Sequence, residues 1–195
     1  YNTSTSSCVS YKMNTATPTV TLTAKTGMTY TGGKLAANTA SVSPNGGGAI
    51  TYTYYTNNTC TTGATTTAPT NVGNYYVKAT VAAVSNKTNA GSSSCVAHTI
   101  SKSNTTTSLS AITKTYTGSA QAASGATAKL SSNSSNISGA AFTYKYYTNN
   151  ACTSGETSTA PTNAGQYYVK ATLTGTSNYN TSTSSCVSYK MNTAT

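Results

Sequence analysis

An all-β fold of repeated sandwich domains is what this sequence predicts, and three observations predict it. Short runs alternate apolar and polar side chains with a period of two, as a strand does when one face is buried and the other is wet. Clusters of Gly, Asn, Pro and Ser, such as SPNGGG at 43–48, separate those runs as turns. The arrangement then recurs along the chain, and no segment carries a convincing helical period.

The recurrence has two levels. Residues 1–17, YNTSTSSCVSYKMNTAT, reappear unchanged at 179–195, which fixes a period of 178 residues. Inside that period TYTYYTNNTC at 51–60 matches TYKYYTNNAC at 143–152, and APTNVGNYYVKAT at 68–80 matches APTNAGQYYVKAT at 160–172. SSCVAH at 93–98 matches SSCVSY at 184–189. Each period therefore holds two related modules of roughly 90 residues, an ordinary domain size. We place the first module at 18–101 and the second at 102–192. Residues 1–17 read as the last strand of a preceding repeat plus its linker, and 193–195 as the linker to the next.

In the first module the run that begins at Ile50 sets Ile50, Tyr52 and Tyr54 on one face and Thr53 on the other. The strongest run follows at 75–82, with Tyr75, Val77, Ala79 and Val81 inward and Tyr76, Lys78 and Thr80 outward. A third places Val96, His98 and Ile100 on the core face. The second module repeats each in turn: Phe142, Tyr144 and Tyr146, then Tyr167, Val169, Ala171 and Leu173, then Val187, Tyr189 and Met191. His98 occupies the position of Tyr189, so it reads as a half-buried, hydrogen-bonded ring and not as a ligand or base. Several short strands per module, divided by turn signals, predict tandem immunoglobulin-like β-sandwich domains.

Asn71-Val-Gly73-Asn-Tyr75 and Asn163-Ala-Gly165-Gln-Tyr167 put a glycine two residues ahead of an inward tyrosine at a strand entrance. In such sandwiches this is the form of a tyrosine corner, whose hydroxyl returns to upstream backbone. A turn glycine beside a core ring is the plainer account of the same residues. Taken together, TYTG, TYxYYTNNxC, APTNxGxYYVKAT and SSCVxY resemble the bacterial immunoglobulin-like repeats of the MBG type, over nearly all of both modules. The resemblance implies an extracellular β-sandwich that serves as a spacer or adhesin segment of a large secreted or surface protein, and it brings no catalytic residues. One departure stands out, since such repeats usually carry Asp and Glu, whereas here Asn57, Asn58, Asn149 and Asn150 occupy turns where acids would be unsurprising.

Thr and Ser supply 72 of the 195 residues, while Leu, Ile, Val and Phe supply 20. The aliphatic core is therefore thin, and order must come from 16 tyrosines and five cysteines. Eleven lysines carry the charge of +10, with no Arg, no Asp and Glu156 as the only acidic side chain. Paired carboxylates, a Ser/His/Asp triad and a calcium cage all need acids that are missing, so neither an enzyme nor a cofactor is expected. His98 lies three residues after Cys95 with no second ligand pair, so no metal is expected. A Lys–Asn isopeptide needs a neighbouring acid, and Glu156, which replaces Ala64 of the first module, reads as a solvated loop residue instead. The lysines are scattered singly, without the basic clusters and stacking aromatics that nucleic acid selects. No apolar run approaches the roughly 20 residues of a membrane span.

Five cysteines point to an oxidising compartment, extracellular or at the cell surface. Cys60 and Cys95 are 35 residues apart and Cys152 and Cys186 are 34 apart, so the simplest pairing closes one loop in each module. The rival pairing joins Cys60 to Cys186 across the joint, because the turn after the Tyr52 strand and the start of the Cys95 strand tend to lie at opposite ends of an immunoglobulin topology. Cys8 copies Cys186, and its partner is expected upstream of residue 1. Tyr55, Tyr76, Tyr147 and Tyr168 are expected to be exposed, as cross-strand pairs on an outer sheet or as a sugar-stacking surface. The expected function is structural: a repeat segment of an extracellular filament or of the stalk of a giant surface adhesin. Its expected partners are further copies end to end, with lateral self-association and a glycan left open. A glycan-binding module acting through avidity is the alternative.

Overall fold

The structure is a computed structural model and describes residues 1–194; of the linker expected at 193–195, Thr195 lies outside the described residues. The chain folds as two compact units, one of Tyr1–Thr26, Leu35–Pro69 and Asn74–Thr99, the other of Gly27–Lys34, Thr70–Gly73 and Ile100–Thr195. Every regular element among the described residues is a strand.

The first seven strands are β1 (Thr19–Thr21), β2 (Lys25–Thr29), β3 (Ser41–Ser43), β4 (Ile50–Tyr55), β5 (Gly73–Val81), β6 (Gly91–Ser92) and β7 (Val96–Ser101). β1 pairs with β3, while the larger sheet runs β2-β7-β5-β4, with β6 added to β5. Antiparallel register sets Ile50 against Val81, Tyr52 against Ala79 and Tyr54 against Val77, so the alternating apolar residues of both strands share one face. Val20 and Leu22 from β1 and its extension, with Ala40, close over Tyr54, Val77, Ala79 and Val81 to make the core. Two sheets that enclose one apolar layer are a sandwich.

The second seven repeat the plan: β8 (Thr105–Ser108), β9 (Ile112–Thr115), β10 (Thr127–Leu130), β11 (Phe142–Tyr147), β12 (Gly165–Leu173), β13 (Ser182–Thr183) and β14 (Val187–Asn192). β8 pairs with β10, and the larger sheet runs β9-β14-β12-β11 with β13 on β12. β9 and β14 are parallel, the other pairs of that sheet antiparallel. Ala123, Tyr146, Val169, Tyr189 and Met191 form its core. The fold class is thus all-β, with immunoglobulin-like sandwiches in tandem along the sequence.

The abundant hydroxyls are part of the packing. Thr107 is buried, and its Oγ1 lies 2.6 Å from Ser182 Oγ, while Thr105 Oγ1 donates to the same Ser182 Oγ at 2.7 Å. A buried hydroxyl with a partner avoids the desolvation penalty of a lone polar group, which lets Thr and Ser occupy positions that an aliphatic chain would fill.

Candidate functional site, a strapped loop and its aromatic ties

After β4 the chain makes a loop whose neck is closed by Tyr54 and Thr65, each amide donating to the other's carbonyl at 2.7 and 3.0 Å. Asn57 fills the loop. Its Oδ1 accepts from the amides of Thr61 and Thr62 at 3.0 Å, and its Nδ2 donates to Thr59 Oγ1 at 2.6 Å and Thr61 Oγ1 at 2.8 Å. The second loop is built alike, with Asn149 Oδ1 accepting from Thr153 at 3.0 Å and Ser154 at 3.1 Å, and Tyr146 and Thr157 at the neck. At each loop tip a cysteine sits in the left-handed region, Cys60 at φ 53° and Cys152 at φ 52°. That conformation costs an L-residue roughly 1 to 2 kcal/mol, a cost met by the asparagine bonds and by the bridge itself.

Cys60 is bonded to Cys95 and Cys152 to Cys186, each pair with Cα atoms 5.9 Å apart. The pairing is the one inside each module, and Cys60 does not join Cys186. The register explains it: Tyr147 at the end of β11 faces Tyr168, and Val187 at the start of β14 faces Val169. β11 leaves the central strand where β14 meets it, so the two cysteines lie at one end of the sheet and not at opposite ends. Each bridge passes over the central strand and straps its two neighbours together.

The serine two residues before each bridged strand cysteine fixes the approach. Ser93 Oγ accepts from Ala79 N–H at 3.0 Å and donates to Ser94 O at 2.8 Å, and Ser184 does the same with Ala171 N–H at 3.0 Å and Ser185 O at 2.9 Å. Neither serine was singled out from sequence. The signal available was the recurrence of Ser-Ser-Cys at corresponding positions.

Aromatic side chains tie the segment between the second and third strands to the sheet. Tyr54 Oη accepts from Ala37 N–H at 3.1 Å and Tyr52 Oη from Ala40 N–H at 2.8 Å. In the second half Tyr146 Oη accepts from Ala123 N–H at 2.7 Å, and the Tyr189 hydroxyl donates to Gln121 O. His98 performs the Tyr189 task in the first half: fully buried, it bonds Leu35 O through Nε2 at 2.8 Å. A carbonyl accepts, so Nε2 carries the proton and Nδ1 is left buried without a partner. His98 packs edge-on against Tyr54 with centroids 5.2 Å apart, and Tyr189 against Tyr146 at 5.6 Å. Burial lowers the His98 pKa, outweighing the opposing effect of the Leu35 bond, while the Lys25 charge adds to the lowering. Burial raises Tyr146 and Tyr189 above the usual phenol range.

Tyr167 donates its hydroxyl to Asn163 O at 3.2 Å, four residues upstream, and a Cβ on Gly165 would touch its ring at 3.4 Å. Tyr75, with Gly73 ahead of it, makes no side-chain hydrogen bond among the described residues. The expectation of exposure for Tyr55, Tyr76, Tyr147 and Tyr168 needs correcting. Tyr147 is buried, because its hydroxyl turns to Glu156 Oε2 at 3.0 Å and Lys170 lies 5.7 Å from its ring centroid; the other three are half-buried. Glu156 is likewise engaged, with Lys145 Nζ at 3.2 Å from Oε1. The lysine first, then the tyrosine, hold its carboxyl below the usual range, while burial and Glu156 raise Tyr147. Cys8 is an exposed free thiol.

No family model matches the chain, and no curated protein matches it. Among solved structures, mouse cadherin-23 EC22-24 is similar over 90% of this chain and 67% of that chain, at 15% identity and a TM-score of 0.32. Drosophila N-cadherin EC1-3 is similar over 93% of this chain and 69% of that one, at 12% identity and a TM-score of 0.30. The fold class rests on the strand pairing above and takes nothing from these distant likenesses. No helix among the described residues is long and apolar enough to cross a membrane.

Proposed function

We propose that the chain is a non-catalytic structural segment of an extracellular filament or of the stalk of a giant surface adhesin, akin to the bacterial MBG-type repeats. The observation that carries this reading is the unchanged repetition of 17 residues at a spacing of 178, in a strand that closes a disulfide-strapped sheet. A part copied without change serves uniformity and length, where a binding site would vary with its ligand. The load path agrees. β9 and β14 are parallel neighbours, with Ile112–Thr115 beside Tyr189–Asn192. Tension from the N-terminal side of β9 to the C-terminal side of β14 therefore acts along their hydrogen-bond ladder in shear, so several bonds must break together.

Two disulfides support a location where thiols are oxidised. The partners in this reading are further copies of the same repeat. The glycan reading gains less support, since of the four recurring tyrosines Tyr147 is buried and Tyr55, Tyr76 and Tyr168 are half-buried. Electron microscopy of the native material tests the proposal. A thread with evenly spaced beads is expected, and isolated globules overturn it.

A further inference from the structure

Thr and Ser hydroxyls dominate the polar side chains of this chain, and the structure sorts them by whether they are engaged. On the strands they bond across the ladder: Thr80 Oγ1 lies 3.3 Å from Ser92 Oγ, and Thr172 Oγ1 lies 3.0 Å from Thr183 Oγ1. In the loop after β4, Thr61 Oγ1 is held by Asn57, and Thr65 Oγ1 accepts from the Thr67 amide at 3.1 Å. The loop after β11 matches, with Thr153 Oγ1 held by Asn149 and Thr157 Oγ1 accepting from the Thr159 amide at 3.1 Å. The hydroxyls left over fall at equivalent places. They belong to Thr62, Thr66 and Thr67 in the first loop and to Ser154, Ser158 and Thr159 in the second, all exposed and without a side-chain hydrogen bond among the described residues. Thr62 and Ser154 are clamped by their backbone, each amide on the loop asparagine and each carbonyl on Thr56 or Thr148. Thr66 and Ser158 have no such backbone bond. Their segment is instead pinned at its two ends, by the Tyr54–Thr65 neck and by Leu35 N–H on Pro69 O at 2.9 Å, and in the second module by the Tyr146–Thr157 neck and Gln121 N–H on Pro161 O at 3.0 Å. Each proline lacks an N–H for any ladder and keeps the alanine before it extended. Thr66-Thr67-Ala68-Pro69 and Ser158-Thr159-Ala160-Pro161 are thus surface brackets, each with two free hydroxyls; between the modules the methyl of the first position changes and its hydroxyl stays.

We propose that Thr66, Thr67, Ser158 and Thr159 are O-glycosylation sites, acceptors for sugar that a glycosyltransferase delivers from a nucleoside-diphosphate sugar. The threonine or serine Oγ attacks the anomeric carbon, and the bond from that carbon to the diphosphate breaks as the new C–O bond forms. The nucleoside diphosphate leaves with the electron pair, and the hydroxyl proton passes to a base of the transferase. Segments rich in Ser and Thr with proline are the composition of O-glycosylated stalks, and here the structure selects four of the 72 Ser and Thr residues. The four lie outside every strand, so sugar on them leaves the ladders and the core faces as they are. It would clothe the loops that carry Cys60 and Cys152, the exposed part of each strap. The inference needs an exported chain and does not depend on the filament reading.

The test uses the native material, reduced, alkylated and digested with trypsin. Cleavage after lysine puts Thr66 and Thr67 in Leu35–Lys78 and Ser158 and Thr159 in Tyr146–Lys170. Electron-transfer fragmentation, which keeps sugars on their side chains, is expected to place added hexose or hexosamine mass on these four residues and none on Thr80 or Thr172. In the producing cell, Thr66→Ala with Thr67→Ala is expected to lower the sugar on Leu35–Lys78 at least tenfold and to leave that on Tyr146–Lys170 unchanged. Both substituted side chains are exposed and unbonded, so loss of sugar there is not loss of the fold. Peptides at their unmodified masses, sugar on asparagine alone, sugar spread equally over the strand hydroxyls, or sugar that persists on Leu35–Lys78 in the double variant would each overturn the proposal. A beaded thread in micrographs whose peptides are bare would sink glycosylation and leave the filament reading standing.

Discussion

Reduction of the disulfides should lengthen the chain under load by an amount that the structure fixes. Cys152 and Cys186 are 34 residues apart with Cα atoms 5.9 Å apart, so the closed loop hides about 110 Å of contour at about 3.5 Å per residue. The Cys60–Cys95 loop, at 35 residues, hides about 115 Å by the same count. Single-molecule pulling of the full chain, held at its two ends with and without dithiothreitol, measures this directly. Each of two unfolding steps should gain about 110 Å on reduction. A bridge from Cys60 to Cys186, which are 126 residues apart, would instead hide about 440 Å in one piece. A single gain of that size refutes the observed pairing, and equal step lengths in both conditions refute the idea that the bridges limit extension.

Three further outcomes follow from the same geometry. Replacing Cys152 and Cys186 together by Ala removes a loop constraint of about 4 kcal/mol, and at roughly 4 to 8 °C per kcal/mol for a domain this size a calorimetric transition should fall by about 15 to 30 °C. Tyr146→Phe leaves the Ala123 N–H buried and unpaired, so urea denaturation should show a loss of about 1 to 3 kcal/mol. His98 has a folded pKa below its unfolded value of about 6.5. The unfolded chain then binds the extra proton, so stability is full above that pH and falls as pH drops through it toward the folded pKa. Urea midpoints from pH 8 to 5 should show the fall in the native chain and a flatter profile in His98→Tyr.

What could be read from sequence was whatever repeats with a physical period. The strands at 50–55, 73–81 and 96–101 were legible because apolar residues alternate over six to nine positions, and their partners in the second half confirm the faces. β1, β3 and β6 were not, since a single Val between two Thr or two Ser residues, or a Gly-Ser pair, carries too little hydrophobic contrast to mark a strand. β1 and β3 form because they present Val20 and Val42 to a core laid down by the longer strands, and β6 forms by pairing with β5. Tyr147 was misplaced for a related reason. Alternation puts it on the outer face, and only the tertiary approach of Glu156 and Lys170 covers it. Spacing already favoured a bridge inside each module, and what it did not contain is the stagger of β11 and β14 along β12 that sets aside the Cys60–Cys186 alternative.

Comparison of His98 with Tyr189 separates what the fold requires from what it tolerates. One ring is an imidazole and the other a phenol, yet each lies edge-on against the strand tyrosine and donates a proton to the carbonyl of a corresponding residue, Leu35 or Gln121. The requirement is therefore a flat, buried ring that ends in a donor, and chemical identity beyond that is free. His98 meets it at a disadvantage, because its second nitrogen is buried without a partner while the phenol leaves none. A catalytic or ligand-binding histidine would use that second nitrogen. Here it faces no acceptor and no donor, so His98→Tyr should keep the fold and, with the orphan atom gone, raise the stability of the first sandwich by about 1 kcal/mol or more at neutral pH. A loss of fold in that variant would show that the imidazole does something the ring geometry does not explain.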